Sequence, residues 1–214
     1  MTKRETYRRL RFSVGSLLIV TSIICVTMGF WSVYVDPYRA QAVSRDKVQS
    51  LGGQWHSTPA TGSQWHRWLV ETMLGAGEFA EIDEVDLRKC QVDNNELGAL
   101  SGLKWVRVIY LDRAEVTDDN IYVISNLTRL VTLSLAYTQV TDRGIAQLRQ
   151  LENLDTLTLT GVPISDESIP PFETLASLRE LYIRWTKISP AGVREIEETL
   201  PTCSVFHHSI QPVR

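Results

Sequence analysis

The 214 residues contain no glycine-rich phosphate loop, no G-x-S-x-G elbow and no H-E-x-x-H pair. Those absences remove the motif-based routes to a nucleotide-binding enzyme, a serine hydrolase and a zinc peptidase. Cysteine and histidine are scarce, at three and four copies. Positive charge is concentrated at one end. The first eleven residues carry +4, which leaves −7 for the remainder of a chain whose total is −3. An acidic body of this kind argues against nucleic acid as a partner and against lying flat on anionic lipid.

Charged residues are also missing from one long stretch. Val14 to Val35 is 22 residues without an Asp, Glu, Lys or Arg. As a helix it would span about 33 Å, enough to cross a bilayer core. Phe30, Trp31 and Tyr34 gather at its far end, as aromatic residues do at a membrane interface. Lys3, Arg4, Arg8, Arg9 and Arg11 precede it, so the positive-inside rule predicts a single-pass membrane protein with a cytoplasmic N-terminus. The competing reading is a cleaved signal peptide ending at Ala40-Gln41-Ala42. The run is longer than a usual signal core, and that site lies well past its end. Both readings export everything that follows.

What the rest of the chain holds is a period. Leu130, Leu133, Leu135, Val140, Ile145, Leu148 and Leu151 recur 24 residues on as Leu154, Leu157, Leu159, Ile164, Ile169, Phe172 and Leu175. A further copy runs from Leu178 to Leu200, and two earlier ones start at Val106 and Ile82. Within each copy the apolar spacing changes from two, one face of a strand, to three, one face of a helix. This is the signature of a leucine-rich repeat, whose copies bury their apolar sides only by stacking. The expected fold is α/β: a right-handed solenoid of five 24-residue repeats with a parallel concave sheet.

Thr117, Thr141, Ser165 and Ser189 share one repeat position just before the helical run, where a hydroxyl can cap the first turn. Asp118, Asp142 and Asp166 follow them, where the helix dipole favours a carboxylate. In the last copy Pro190 takes that place, which suits a first helical position. Pro170-Pro171 predicts a distorted or 3₁₀-like convex segment in the fourth copy.

The V-T-D-x-G-I-x-x-L pattern of Val140–Leu148 resembles leucine-rich repeats of the ribonuclease-inhibitor-like and cysteine-containing kind, and Leu200–Val205 resembles that class's closing segment. With Arg11-Phe12-Ser13 before the apolar run and Leu51-Gly52-Gly53 after it, the whole chain resembles short membrane-anchored repeat proteins of planctomycete bacteria. The expected division is a basic N-terminus over 1–13, a transmembrane helix over 14–35, a linker and cap over 36–81, repeats over 82–206 and a tail over 207–214. Solenoid ends need covering. In the cap, 40–51 and the stretch around Trp65, Trp68, Leu69 and Met73 predict two helices with buried tryptophans, and 57–63 predicts a loop.

Stacked strands lie about 4.8 Å apart, so Cys90 and Cys203, near opposite ends, are expected too far apart for a disulfide. The same distance separates His56 and His66 from Cys203, His207 and His208, which disfavours a metal site. Cys203 with His207 could imitate a nucleophile and base, but nothing orients them. No enzyme activity, cofactor or metal is expected. Asn126-Leu127-Thr128 is a glycosylation sequon, meaningful only in a host that modifies exported proteins.

Side-chain alternation aims the residues between the buried leucines at the concave face. The expected partner-binding set is Tyr110, Asp112, Thr132, Ser134, Thr156, Thr158, Tyr182, Arg184 and Trp185. A hydroxyl floor edged by aromatics and an arginine has the composition of a binding hot spot, with Tyr110, Tyr182 and Arg184 as anchors. The plainer reading is that threonine suits an exposed strand. The expected function is a membrane-tethered module that recognises or scaffolds a protein or peptide. Alternatives are a purely structural envelope protein, or a substrate receptor like those of SCF ubiquitin ligases, though no F-box-like stretch precedes the repeats.

Overall fold

Alternating side chains leave one residue in two of each strand pointing into the stack, and that residue is sealed in every central copy. Val85, Ile109, Leu133, Leu157 and Leu181 are all 0% exposed. They sit in successive strands of a computed structural model that describes residues 14–75, 79–88, 90, 92 and 94–207. The parallel strands are β2 (Ala80–Asp86), β3 (Val108–Tyr110), β4 (Thr132–Ser134), β5 (Thr156–Thr158), β6 (Glu180–Tyr182) and β7 (Ser204–Phe206). Their register runs Glu84, Val108, Thr132, Thr156, Glu180, Ser204, so each strand pairs with the residue 24 positions on. Every apolar frame position of the first four copies joins one continuous core; in the last copy Ile188 and Leu200 are only partly covered.

The convex side differs from the expected helices. Most copies turn through a short α segment or a 3₁₀ segment, or both. These are α4 (Asn94–Leu97) with 98–102, α5 (Tyr122–Ser125), α6 (Asp142–Ile145) with 146–150, and 166–168 with α7 (Ile169–Glu173). Only α8 (Pro190–Thr199) is a regular helix of several turns. The other copies cover their convex side with short α and 3₁₀ pieces, the 3₁₀ turn being common in such short connections. The Pro170-Pro171 copy is therefore no more irregular than its neighbours. Its prolines lie in the first turn of α7, where their missing N–H groups would have had no helical partner.

The repeated aspartates bridge copies rather than merely facing a helix dipole. Asp118 accepts hydrogen bonds from the Thr141 N–H (2.8 Å) and hydroxyl (2.5 Å). Asp142 does the same with Ser165, at 2.8 Å each, and also accepts from the Ser168 hydroxyl at 2.5 Å. Asp166 accepts from the Ser189 N–H (2.8 Å) and hydroxyl (2.7 Å). The capping bonds of Thr141 and Ser165 to their own turns are longer, at 3.4 and 3.3 Å, whereas Ser189 caps α8 at 3.0 Å. The glycine of the T-D-x-G pattern makes room for this ladder: a Cβ on Gly144 would lie 2.3 Å from Asp118 Oδ1. In the second copy Asn120 Oδ1 accepts the Thr117 N–H instead, at 2.8 Å.

The N-terminal cap consists of α2 (Asp36–Ser50), β1 (Gln54–Pro59) and α3 (Gln64–Leu74). Strand β1 pairs antiparallel with β2 and takes residues 57–59 out of the expected loop. Its sequence, QWHSTP, has no apolar alternation to announce it; the need to pair the first strand's open edge decides. Gln41 is buried and bonds both Ala80 O (2.7 Å) and Ile82 N (2.8 Å), fixing α2 to β2. Tyr38, Val70 and Phe79 form a second apolar cluster, with Trp105 against it. The cap's own tryptophans are not buried: Trp55, Trp65 and Trp68 are 39, 50 and 67% exposed.

Helix α1 (Val14–Tyr34) carries no charged residue. The expected membrane span is not shown by the structure. Among the described residues no helix is long and apolar enough to cross a membrane. The basic N-terminus over 1–13, His208 and the tail beyond it lie outside the described residues.

Leu133→Ala or Leu157→Ala is expected to cost about 2–5 kcal/mol in chemical denaturation, and Thr141→Ala about 1–2 kcal/mol. A second expectation concerns pH. Burial pushes the Asp142 carboxyl up, but the hydrogen bonds from Ser168 and Ser165 outweigh it and hold its pKa below the ordinary value. The folded state thus binds its proton more weakly than the unfolded state. The contribution is complete above about pH 4 and is lost as pH falls through the lowered folded value. Denaturation midpoints between neutral pH and pH ~3 should fall less steeply for Asp142→Asn, which starts from lower stability.

Candidate functional site

The outward positions of β3 to β6 make a shallow floor across the concave face. Thr132, Thr156 and Thr158 are half-buried on it, with Tyr110 at one side and Tyr182 at the other. Ser134 is buried, and its hydroxyl donates to Asp112 Oδ1, which also accepts the Ala136 N–H at 3.2 Å. These bonds hold one copy to the next and engage the buried Ser134 hydroxyl, which has little left for a ligand. Tyr182 stacks on Phe206 at 4.4 Å and donates to Glu180 at 3.1 Å. Partial burial and that carboxylate raise its pKa, so its hydroxyl stays protonated at neutral pH. At the opposite end Arg88 is paired with Asp86 at 2.6 Å and lies over the Tyr110 ring at 4.7 Å.

A more exposed feature borders the floor where the chain leaves each strand. Arg113, Tyr137, Gly161 and Trp185 occupy one repeat position and all have positive φ, between 57° and 71°. The left-handed turn lets the N–H of Arg113, Tyr137 and Gly161 reach a carbonyl of the next copy, at 2.8 Å each. Glycine fits that conformation, whereas a side chain there costs roughly 1–2 kcal/mol. Three of the four positions nonetheless carry large side chains, and these form a line. Arg113 lies over the Tyr137 ring at 5.2 Å. Tyr137 reaches across Gly161 to Trp185, with ring centroids 6.2 Å apart. Tyr137 is 46% exposed and Trp185 64%. Gly161 is what permits the crossing, since a Cβ on it would lie 2.6 Å from the Tyr137 ring.

The sequence reading places Trp185 and Arg184 at this edge but omits Arg113 and Tyr137. The signal available is their shared repeat position: Arg113, Tyr137, Gly161 and Trp185 follow one another at 24-residue steps. Both of the arginines are exposed, as a partner's carbonyls or carboxylates would require.

Cys203 is buried, and burial with Asp155 and Glu180 pushes its thiol up to about 11, far from a reactive thiolate. Cys90, in the turn after β2, is likewise raised by burial. The two are free thiols at opposite ends of the parallel array. Among the described residues no three His, Cys, Asp or Glu side chains converge as around a metal ion. A cavity of about 500 Å³ at the strand-entry edge is lined by Glu81, Asp83, Arg107 and Arg129 among others. It carries both signs of charge and so favours neither an anion nor a cation.

The fold is similar to solved leucine-rich-repeat structures. Internalin C2 of Listeria monocytogenes is 30% identical over 65% of this chain and 56% of its own, with a TM-score of 0.50. An internalin, InlF, of the same bacterium is 20% identical over 56% of this chain and 32% of its own, with a TM-score of 0.47. The repeat ectodomain of the receptor kinase SOBIR1 of Arabidopsis thaliana is 11% identical over 78% and 91%, with a TM-score of 0.47. This is a leucine-rich-repeat fold. The chain spans about a third of one internalin chain and just over half of the other. No family model matches it, and no curated protein is similar to it.

Gly161→Ala tests how the exposed line is built. Positive φ and the Tyr137 contact should together cost at least about 1 kcal/mol in chemical denaturation. The near-ultraviolet dichroism of the Tyr137–Trp185 pair should change as well. Gly98→Ala, where a Cβ meets nothing within 4 Å, should do neither.

Proposed function

We propose that this chain is a non-catalytic recognition module, tethered to a membrane by α1, that binds an extended stretch of protein or peptide. The observation that carries the reading is the exposed Arg113–Tyr137–Trp185 line beside the threonine floor. Large side chains occupy a backbone conformation that favours glycine, and three of them are aligned and open to solvent. Strain of that kind concentrates where a surface has a task. Trp, Tyr and Arg are also the residues in which binding energy concentrates. An extended partner would lie along the line, its backbone over Trp185 and Tyr137 and its acidic or carbonyl groups toward Arg113 and Arg184. Thr132, Thr156 and Thr158 offer hydroxyls beneath it. Tyr110 and Tyr182 remain as flanks; Tyr182, stacked on Phe206, is a weaker anchor than Trp185.

The tether rests on the sequence: a charge-free run of 22 residues, basic residues before it and aromatics at its end. In this reading the N-terminus is cytoplasmic and residues 36–214 lie on the exported side. That is the arrangement of the membrane-anchored repeat proteins the sequence resembles.

Two measurements test the reading. Protease added to spheroplasts should degrade the repeat region while the chain still fractionates with membranes; a soluble form beginning near Val43 would establish a cleaved signal instead. With a partner that binds the full chain saturably, Arg113→Ala combined with Trp185→Ala should weaken affinity by about thirtyfold, or ~2 kcal/mol. Glu198→Ala, on the convex side, should leave it unchanged. The reverse pattern would move the site off the concave edge.

A further inference from the structure

Helix α3 presents an apolar arc that the described chain covers only in part. Trp68, Trp65, Leu69 and Met73 lie on one side of it at helical spacing, and Trp65, Trp68 and Met73 are 50, 67 and 52% exposed. The opposite side, centred on Val70, packs into the cluster with Tyr38 and Phe79. Arg67 and Glu71 form an ion pair on a third side, at 3.0 Å. A single face therefore carries the two tryptophans outward, and burial in the cap cannot explain them.

The position of that face relative to α1 identifies its counterpart. Trp65 packs against Phe30 at 5.9 Å and against Tyr34 at 5.4 Å. His66 is edge-on to Tyr34 at 5.2 Å, and its Nε2 lies 3.0 Å from the Tyr34 carbonyl oxygen. The start of α3 is thus fixed beside the last two turns of α1. Phe30 and Tyr34 are the aromatics that would mark the level where a membrane-spanning α1 leaves the hydrocarbon. Trp65 stands at the same level, and the arc continues from it along α3.

We propose that α3 is an interfacial helix: its Trp65, Trp68, Leu69 and Met73 side enters the headgroup–acyl boundary of the bilayer on the exported side. This rests on the membrane tether argued above and adds a second contact to it. Tryptophan suits that boundary because its ring is apolar and its N–H remains hydrogen-bonded. The helix binds by apolar area rather than by charge, since its basic residue Arg67 is neutralised by Glu71. A second contact converts a freely swivelling tether into a fixed orientation, so the repeat domain is held in one attitude over the surface.

The test uses the full-length chain in phosphatidylcholine vesicles in which part of the lipid is brominated near the headgroup end of an acyl chain. Bromine quenches tryptophan emission only at short range. Trp68→Phe should lower the quenchable emission by a share comparable with that lost in Trp31→Phe. Trp185→Phe, on the distant ridge, should leave the quenchable emission unchanged. If Trp31→Phe lowers quenching and Trp68→Phe does not, α1 is anchored but α3 stands clear of the lipid, and the inference is overturned while the tether survives. If the chain does not float with the vesicles at all, the tether fails and the inference with it. Dissociation of a dimer in detergent by Trp65→Ser with Trp68→Ser would make the face a contact between two copies, which also overturns it.

Discussion

The constraint on which everything else depends is that no copy of the repeat completes itself. Each strand is three residues long over most of the sheet, and its backbone groups find partners only on the copies before and after. Its one inward leucine becomes dry only when its equivalents 24 residues away close over it. The carboxylates of Asp118, Asp142 and Asp166 extend the same dependence to the convex edge. Each reaches forward to the N–H and hydroxyl that open the next copy. Apolar stacking supplies the driving force, and the carboxylate ladder makes the register specific, because a slip of one residue would leave these partly covered donors unpaired.

A register that strict turns sequence position into spatial alignment. Residues 24 apart become neighbours at the strand spacing, so a single favourable substitution per copy accumulates into a surface. The Arg113–Tyr137–Gly161–Trp185 line is built this way, and so is the threonine floor. The glycine is as necessary as the aromatics, since its missing side chain lets two rings meet across a copy. A surface already ordered by the sheet beneath it loses little conformational entropy on binding an extended segment.

Much of this could be read from residues. The period, the inward positions and the concave threonines all follow from apolar spacing, because in a solenoid local pattern and tertiary contact are nearly the same thing. What escaped depends on contacts between copies or with the cap. Strand β1 has no strand-like pattern of its own and exists to pair an open edge. Asp142 reads as a carboxylate facing a helix dipole until Ser165 and Ser168 are seen to converge on it. Ser134 reads as a floor residue until its hydroxyl is found on Asp112. Trp65 and Trp68 read as core until the cap is assembled around Tyr38 and Phe79 without them.

We propose that recognition runs along the exposed edge where the chain leaves each strand. Site-specific photocrosslinking tests it most directly. A photoreactive phenylalanine derivative placed at Trp185 or Tyr137 should, in intact envelopes, form a discrete crosslinked product with a second protein, and the same probe at Glu198 should form none. Crosslinks from Glu198 with none from Trp185 or Tyr137 would contradict the account.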